Sequence, residues 1–309
     1  MTFEKATISA IVCTRNRGDR IKATIESILA NEHSNFELLI VDQSTNDLTE
    51  TAVRPFFTDP RLRYIRSDTV GLGLARQIGI TQVKSEIVAY TDDDCIVPPN
   101  WLSVMQKVFE DNPRVAVAFC NVLPTFRDPE VGFIPIYERP NDKLVRKVWE
   151  KCFARGMGAG LAVRRKPILA LGGFDVHLGP GAVFSDCDDG DIALRALLKG
   201  WWVYETTQVA VLHDGFRTWQ EARELSRRNW MGIGAAYAKP IKCQHWKAMA
   251  VVAYEGFIIA FLKPLSQVFV LRRPRGIRSS YYFWKGFMQG LKAPVNHEYI
   301  LYDYNDPKN

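Results

Sequence analysis

The sequence predicts an α/β fold in which a mixed, mostly parallel sheet is flanked by helices. Apolar runs typical of buried strands alternate with helix-like segments through the first 92 residues, and this alternation is the pattern of βαβ units. Three of the runs end at a polar or acidic residue, namely Thr14, Asp42 and Asp92. Since ligands bind at the carboxyl ends of the strands in such sheets, these three residues are expected to share one edge.

The predicted elements follow one another with short connections. Four strands are expected over residues 7–12, 36–41, 61–66 and 87–91, and the helices between them over residues 20–31, 48–57 and 71–83. A polar turn, 14–19, opens the first helix. Later in the chain, a tight glycine turn at 156–160 precedes a strand at 161–165, and a helix over 192–199 ends at Gly200.

Three consecutive carboxylates, Asp92, Asp93 and Asp94, end the fourth apolar run. Like charges this close repel one another, and a divalent cation is the simplest group that would compensate them. Oxygen ligands favour Mg²⁺ or Mn²⁺, which phosphate-handling sites hold with one or two carboxylates and the phosphates themselves. A solvated turn or a helix cap is the alternative; the position at a strand end favours the metal site.

Gly71 and Gly73 precede the third helix. They lack the third glycine of a dinucleotide-binding fingerprint and the Gly-Lys-Ser/Thr of a P-loop, so both of those site types are poorly supported. A simple turn before a helix is the alternative for these glycines. Arg76 lies one turn into the helix, where it is well placed to meet a diphosphate.

Length and composition place limits on the class of protein. A chain of 309 residues that is 47% hydrophobic can form one large domain with a smaller addition. The six cysteines are scattered and form no CxxC pair, so we expect reduced thiols rather than a zinc site or a disulfide framework. No secretory signal is visible, which favours a cytoplasmic location. No nucleic-acid partner is expected.

Six motifs, in this order, resemble those of a family-2 glycosyltransferase of the GT-A fold. The resemblance extends over residues 8–214, and the ordered set is far more specific than any one motif. The motifs are Cys13-Thr14-Arg15-Asn16-Arg17, Val41-Asp42-Gln43-Ser44, Gly71 to Arg76, Tyr90-Thr91-Asp92-Asp93-Asp94-Cys95, Gly172-Gly173-Phe174-Asp175 and Asp188-Asp189-Gly190-Asp191.

The resemblance implies a nucleotide-sugar donor and a metal ion, Mn²⁺ or Mg²⁺. Asp92 and Asp94 match the two ends of the Asp-x-Asp metal motif, and His213 matches a histidine that completes the metal site in some GT-A enzymes. A structural histidine at a strand end is the alternative for His213. Gln43 departs from the family, which more often has a second aspartate there. The donor-binding residues implied are Thr14, Arg15, Asn16, Arg17, Asp42, Arg76, Asp92 and Asp93.

The resemblance also implies a catalytic base near the start of the helix after Phe184. Alignment with the family's Glu-Asp-x-Asp pattern favours Asp189, with Asp188 and Asp191 as the other candidates. The base would accept a proton from the acceptor hydroxyl as its oxygen attacks the anomeric carbon, and a single displacement would invert the configuration. Aspartates in a first helical turn also stabilise helices through capping and the helix dipole, which is the alternative explanation.

The carboxyl-terminal part differs in charge from the rest. Residues 215–309 contain 15 Lys and Arg against 6 Asp and Glu, a net charge of +9, which leaves 25 against 28, or −3, for residues 1–214. We therefore divide the chain into a GT-A domain, 1–214, and a basic, apolar, helical extension, 215–309. A charged helix is predicted over 218–228.

An apolar stretch over 248–271 is interrupted by Glu255, Lys263 and Pro264, which makes it too short to span a membrane. Basic residues flank it, and interfacial aromatic residues follow at 281–284, a pattern typical of a segment lying on an anionic membrane surface. A helical lid packed on the domain, or a dimer contact, is the alternative. The flanking basic residues are Lys247, Arg272, Arg273, Arg275 and Arg278.

These observations predict a metal-dependent inverting glycosyltransferase that transfers a sugar to a glycan or lipid-linked acceptor in polysaccharide or glycoconjugate biosynthesis. If the extension binds lipid, the protein would lie at the inner face of the plasma membrane. Two other classes stay open. A sugar-nucleotide nucleotidyltransferase would normally have a Gly-rich loop near the first strand, which residues 14–19 lack. A scaffold protein has no evident use for so many carboxylates.

Overall fold

The computed structural model describes residues 6–125, 130–263, 265 and 278–303. The strands in this part of the chain are β1 (Ile8–Thr14), β2 (Phe36–Asp42), β3 (Leu62–Arg66), β4 (Ile87–Asp92), β5 (Cys95–Ile96), β6 (Val115–Pro124), β7 (Gly132–Phe133), β8 (Lys143–Val145), β9 (Leu161–Arg164), β10 (Trp202–His213), β11 (Arg217–Thr218), β12 (Val295–Asn296) and β13 (Leu301–Tyr302).

Helices flank these strands along the chain. The α-helices are α1 (Ile21–Leu29), α2 (Leu48–Val53), α3 (Leu72–Gln82), α4 (Trp101–Asp111), α5 (Arg165–Ala170), α6 (Asp188–Leu198), α7 (Trp219–Lys242), α8 (Met249–Ala253) and α9 (Arg278–Lys292). Short 3₁₀ turns cover Arg54–Phe56, Val148–Phe153, Gly158–Gly160 and Trp246–Ala248, and π-helical turns continue α8 over Tyr254–Leu262.

One half of the main sheet is parallel, in the order β3-β2-β1-β4. Apolar side chains on both faces of β1, β2 and β4 are buried, as expected where helices cover both sides of a parallel sheet. The register pairs Thr14 with Asp42 and Cys13 with Asp92. The prediction that Thr14, Asp42 and Asp92 share one edge is therefore confirmed.

The other half is mixed, in the order β9-β6-β10-β5, with β8 also paired to β10. Strand β9 lies antiparallel between β4 and β6, and β10 runs parallel to β6. The short strand β5 pairs antiparallel with β10 and sets His213 opposite Cys95. This pairing brings His213, at the end of β10, next to the acidic turn that follows β4.

The two faces of the sheet contribute to two buried clusters. Ile8, Ala10 and Val12 of β1 belong to one cluster, whereas Ile11 and Cys13 belong to the other. Side chains alternate between the faces along a strand, so a single strand supplies both clusters. The predicted α/β architecture with helices on the sheet is thus confirmed.

The extension beyond residue 214 packs on the same core as the preceding domain. Phe174 and Ile192 share one cluster with Ala235, Phe283 and Tyr302. The predicted helix over 218–228 is present and continues to Lys242. Pro264, Arg272, Arg273 and Arg275 lie outside the described residues. Among the helices that are described, none combines the length and apolar character that a membrane span requires.

Candidate active site

A pocket of about 480 Å³ opens at the carboxyl edge of the sheet. Strands β1, β4 and β10 direct their last residues toward this edge, and the amino ends of α3 and α6 face the same pocket. Of the residues predicted for the site, those that line the pocket are Thr14, Arg15, Arg17, Arg76, Asp92, Asp93, Asp94, Asp188, Asp189 and His213.

The acidic turn after β4 is held by residues of the loop after β1. Thr14 Oγ1 donates a hydrogen bond to Asp93 Oδ2 at 2.7 Å, and Arg17 Nη1 lies 3.0 Å from Asp93 Oδ1. Arg17 Nη2 also pairs closely with Asp94 Oδ2. Burial raises the pKa of Asp93 to about 7 against the opposing effects of Arg17 and Thr14. One arginine thus partly offsets the charge of two buried carboxylates.

Asp92, Asp94, Cys95 and His213 each offer one ligand atom, and these atoms lie within 4.8 Å of one another. His213 Nδ1 lies 2.9 Å from the carbonyl oxygen of Pro135. Because a carbonyl only accepts, Nδ1 carries a proton, and Nε2 is the ring nitrogen that faces Asp94. Nε2 lies 3.4 Å from Asp94 Oδ1, and this carboxylate raises the pKa of His213 against the effect of burial. The space between the two atoms therefore suits a positive charge, either a proton on Nε2 or a cation bound by both atoms. A backbone carbonyl that orients a histidine in this way is the usual support of a metal ligand.

The Asp94 carboxylate supports the same interpretation. In the described part of the chain, Asp94 Oδ1 is buried and has no hydrogen-bond donor at normal distance. Burial alone would raise the pKa of Asp94, but His213 and Arg17 hold it well below its usual range, so the group is ionised. The residues therefore fit a divalent cation. Cys95 was not anticipated as a neighbour; its position directly after the aspartates was the available signal.

Arg76 joins three elements beneath the pocket. It is 2% exposed, its Nη1 lies 2.5 Å from Asp188 Oδ2, and its Nη2 lies 3.6 Å from Asp92 Oδ1. Gly158 passes directly over the guanidinium, since a Cβ at that position would lie 2.5 Å from Arg76 Nη2. The arginine is therefore fixed at the junction of α3, β4 and α6.

The three candidate bases occupy different environments. Asp188 accepts from Arg76, and burial raises its pKa to about 6. Asp189 is half-buried at the pocket surface, where its Oδ1 accepts from the amide of Gly190 at 2.6 Å. Asp191 does not line the pocket; it is buried and paired with Arg195 Nε at 2.8 Å and Lys239 Nζ at 2.8 Å.

Two predicted donor residues, Asn16 and Asp42, are not among the residues that line the pocket. Asn16 Oδ1 accepts from the amide of Thr45 at 2.9 Å. Asp42 is fully buried and accepts from Tyr64 Oη at 2.6 Å and from the amide of Ser44 at 2.8 Å. Gln43 lines the pocket instead.

Gln43 connects the end of β2 to the turn before α3. Its Nε2 donates to Thr69 Oγ1 at 2.8 Å, and its Oε1 accepts from the amide of Gly71 at 3.2 Å. The residue at which the sequence departs from the family pattern thus shapes the wall of the pocket.

Further pocket residues were not singled out from the sequence. Three of them, Leu225, Arg228 and Asn229, come from α7, where their spacing places them on one face of the helix. This periodicity was the available signal in the sequence. These residues include Ser185, Asp186, Arg217, Leu225, Arg228 and Asn229.

Comparison with known proteins agrees with the class that the fold and this site define, the GT-A glycosyltransferases. A mannosyltransferase structure from Pyrobaculum calidifontis, solved with GDP-Man and Mn²⁺, matches with a TM-score of 0.64 and 18% identity over 93% of this chain and 88% of that one. The S. aureus TarS 1-349 structure matches with a TM-score of 0.61 and 14% identity over 92% and 81%.

The chain belongs to glycosyl transferase family 2, whose family model matches residues 9–168. A glucosyl-dolichyl phosphate glucuronosyltransferase from Haloferax volcanii is 23% identical over 67% of this chain and 66% of its own length. An uncharacterized glycosyltransferase from Rickettsia felis is 33% identical over 34% of this chain and 17% of its own length. The chain thus spans less than two thirds of both relatives.

Proposed function

We propose that this protein is a metal-dependent, inverting glycosyltransferase that moves a sugar from a nucleotide-sugar donor to a glycan or lipid-linked acceptor in polysaccharide or glycoconjugate biosynthesis. The observation that supports it best is that Asp92, Asp94 and His213 line the same pocket as Asp189. A cation site for a diphosphate and an available carboxylate are the two groups that this chemistry requires.

Asp92, Asp94 and His213 are the residues that would hold Mn²⁺ or Mg²⁺, with Cys95 beside them. When bound, the cation would offset negative charge that develops on the leaving diphosphate. Arg76 adds positive charge beside this site, since its Nη2 lies 3.6 Å from Asp92 Oδ1. The Mn²⁺ and GDP-Man of the Pyrobaculum protein and the UDP bound to S. aureus TarS support a nucleotide-sugar donor.

Asp189 is the base that the geometry favours. Asp188 is bound to Arg76 and Asp191 is paired inside the protein, whereas Asp189 is half-buried at the pocket surface. Its carboxylate would accept the proton of the acceptor hydroxyl during attack on the anomeric carbon. A single displacement of this kind inverts the configuration.

The donor is tested by thermal unfolding of the full chain with UDP-, GDP-, dTDP- and CDP-sugars, each with and without Mn²⁺. A ligand that binds only the native state raises the melting temperature. We expect one nucleotide class to raise it in a metal-dependent manner. No shift with any of these ligands, from folded protein, would contradict a nucleotide-sugar enzyme.

The base is tested with Asp189→Asn. The amide cannot accept the proton, so transfer is expected to fall by about 10²–10⁴-fold while the nucleotide-induced thermal shift stays unchanged. Asp111→Asn at the exposed end of α4 is the matched control, and it should retain full transfer. Unchanged transfer by Asp189→Asn would exclude it as the base.

We also infer contact with an anionic membrane surface through the extension. Four apolar side chains of the π-helical turns project outward: Phe257, Ile258, Phe261 and Leu262 are 54%, 43%, 47% and 47% exposed. The lipid phosphate in the name of the Haloferax volcanii relative supports a lipid-linked acceptor.

Sedimentation with vesicles tests this contact. We expect the full chain to bind phosphatidylcholine vesicles more strongly when they contain phosphatidylglycerol, and the double variant Phe257→Ser/Phe261→Ser to bind less. Leu48→Ser, at a residue 67% exposed on α2, is the control. Equal, negligible binding by all three proteins would refute membrane contact.

A further inference from the structure

Two arginines from the start of the extension line the pocket beside the candidate base. Arg217 lies in β11, and Arg228 lies on the face of α7 that also includes Leu225 and Asn229. The helix is fixed against the Asp186 turn at Gly232, where a Cβ would come within 2.6 Å of Asp186 Cβ. Arg228 precedes Gly232 by one helical turn and therefore lies next to this acidic side of the pocket.

These arginines differ from Arg17 and Arg76, which also line the pocket. Arg17 and Arg76 are closely paired with aspartates, whereas Arg228 Nε lies 4.0 Å from Glu224 Oε1. Glu224 is engaged by Arg227 instead, with Nε–Oε2 at 2.9 Å and Nη2–Oε1 at 2.5 Å. The Arg228 side chain is 46% exposed.

Arg217 is similarly available. Its Nη1 donates to the carbonyl oxygen of Phe216 at 2.9 Å, and in the described part of the chain no carboxylate lies within 4.0 Å of it. Pairing of β11 with β7 fixes its backbone opposite Phe133. Both guanidinium groups thus keep donors for a ligand in the pocket.

The surrounding charges indicate which ligand these donors suit. Asp186, Asp188 and Asp189 line the same pocket, and alone they would repel an anion. The hydroxyl groups of a neutral sugar need no guanidinium, whereas the planar fork of arginine matches the two oxygens of a phosphate or carboxylate. Arg76 and the metal-site residues already provide the groups that would bind the diphosphate of a donor.

We propose that Arg217 and Arg228 bind an anionic group, a phosphate or a carboxylate, carried by the acceptor. This inference rests on the proposed glycosyl transfer. Anchoring the anion at the arginines would hold the acceptor with a hydroxyl toward Asp189 and would select against neutral sugars, because a neutral sugar forms no charge-assisted hydrogen bond with either guanidinium.

Calorimetric binding to the full chain, saturated with Mn²⁺ and the nucleoside diphosphate that stabilises it, tests the proposal. The probes are methyl glucoside, glucose 6-phosphate, glucuronic acid and inorganic phosphate. We expect at least one anionic sugar to bind about tenfold or more tightly than methyl glucoside, the effect of one charged hydrogen bond. The two anionic sugars distinguish a phosphate from a carboxylate. Binding of inorganic phosphate alone would mean that the pocket selects no acceptor and would overturn the proposal.

Arg217→Gln and Arg228→Gln should each remove about tenfold of that preference and leave the affinity for the nucleoside diphosphate unchanged. Arg228→Lys keeps the positive charge but not the planar pair of donors, so it should retain only part of the preference for the anionic sugar. Arg227→Gln, the neighbouring arginine, is the control and should retain the preference. Far-UV circular dichroism confirms that each variant is folded.

Two further results would overturn the proposal. Equal affinity for neutral and anionic sugars, including no binding of either, would show that the pocket has no anion site. A parallel loss of nucleoside diphosphate affinity would show that the arginines serve the donor. Failure to bind any nucleotide would instead contradict the proposed function, so the two failures are distinguishable.

Discussion

Asp186 is an acid that the sequence motifs did not single out, yet it lies between the base candidates and α7. Its Oδ1 accepts from the amide of Cys187 at 2.6 Å. Burial, and then the charge of Asp189, raise the pKa of Asp186 to about 7. An unfolded aspartate has a pKa of about 3.9, so the folded protein binds this proton more tightly than the unfolded chain.

The stability of Asp186→Asn should therefore depend on pH. Ionising Asp186 disfavours the folded state progressively as pH rises from about 4 to 7. The asparagine keeps the carbonyl acceptor without the charge. The variant should match the parent near pH 4 and exceed it by roughly 1–4 kcal/mol at pH 8, measured by urea unfolding at each pH.

Asp59→Asn provides the control with the opposite sign. A hydrogen bond from Arg61 lowers the pKa of Asp59, so its ionised form stabilises the folded state above about pH 4, and the variant should lose stability at pH 8. A gain for Asp186→Asn that does not depend on pH would refute the assigned cause.

At the scale of the elements, helices α7 and α9 cross at a short distance, with a glycine of each helix at the contact. A Cβ at Gly286 would lie 2.1 Å from the carbonyl oxygen of Met231, and one at Gly234 would lie 2.0 Å from that of Phe283. Both neighbours are backbone atoms, which cannot rotate away. The helices therefore approach at a distance that only glycine permits.

Gly286→Ala should destabilise the protein by about 1–3 kcal/mol through overpacking. Helix propensity alone predicts the opposite, a gain of about 1 kcal/mol, so the sign of the change separates the two effects in urea unfolding. Gln289→Ala, at an exposed position of the same helix, should change stability by less than about 0.5 kcal/mol. A more stable Gly286→Ala protein would contradict the close crossing.

The sequence predicted best those elements whose signal is local. The parallel half of the sheet follows from apolar runs and the residues that end them. Insertion of β9 between β4 and β6 has no local signal, because it depends on pairing between distant segments. The sequence did not predict that α7 continues beyond residue 228 to Lys242. The run from Gly232 to Ala238 is rich in small residues, and it becomes a buried helix only because α9 packs against it.

The same distinction applies within the site. Asp191 and Arg195 are four residues apart and share a helix face, so their pairing could have been inferred. The burial of Asp42 could not, because its partner Tyr64 comes from β3, a neighbouring strand. Pocket residues from α7 depend on the packing of the extension over the domain, which the motifs of residues 8–214 do not encode.

For the whole molecule, a buried ionic group joins the extension to the domain. Lys239 of α7 is fully buried, pairs closely with Asp175, and lies 2.8 Å from Asp191 Oδ1. The amide of Tyr302 donates to Asp175 Oδ2 at 2.9 Å. Against the effect of burial, Lys239 helps to hold the pKa of Asp175 below its usual range. Four segments of the chain therefore depend on one charge balance.

Lys239→Met should lower the free energy of unfolding by about 3–5 kcal/mol at pH 7, because it leaves Asp175 buried without its main counter-charge. The loss should shrink below about pH 4, where protonation of Asp175 removes the unpaired charge. Lys247→Met, at an exposed position, is the control.

Since one core extends across residue 214, circular dichroism and tryptophan fluorescence should give coincident urea transitions in the parent protein and in both variants. Two separated transitions would instead mean that residues 215–309 unfold independently, and the charge pairing would then stabilise only the junction between two units.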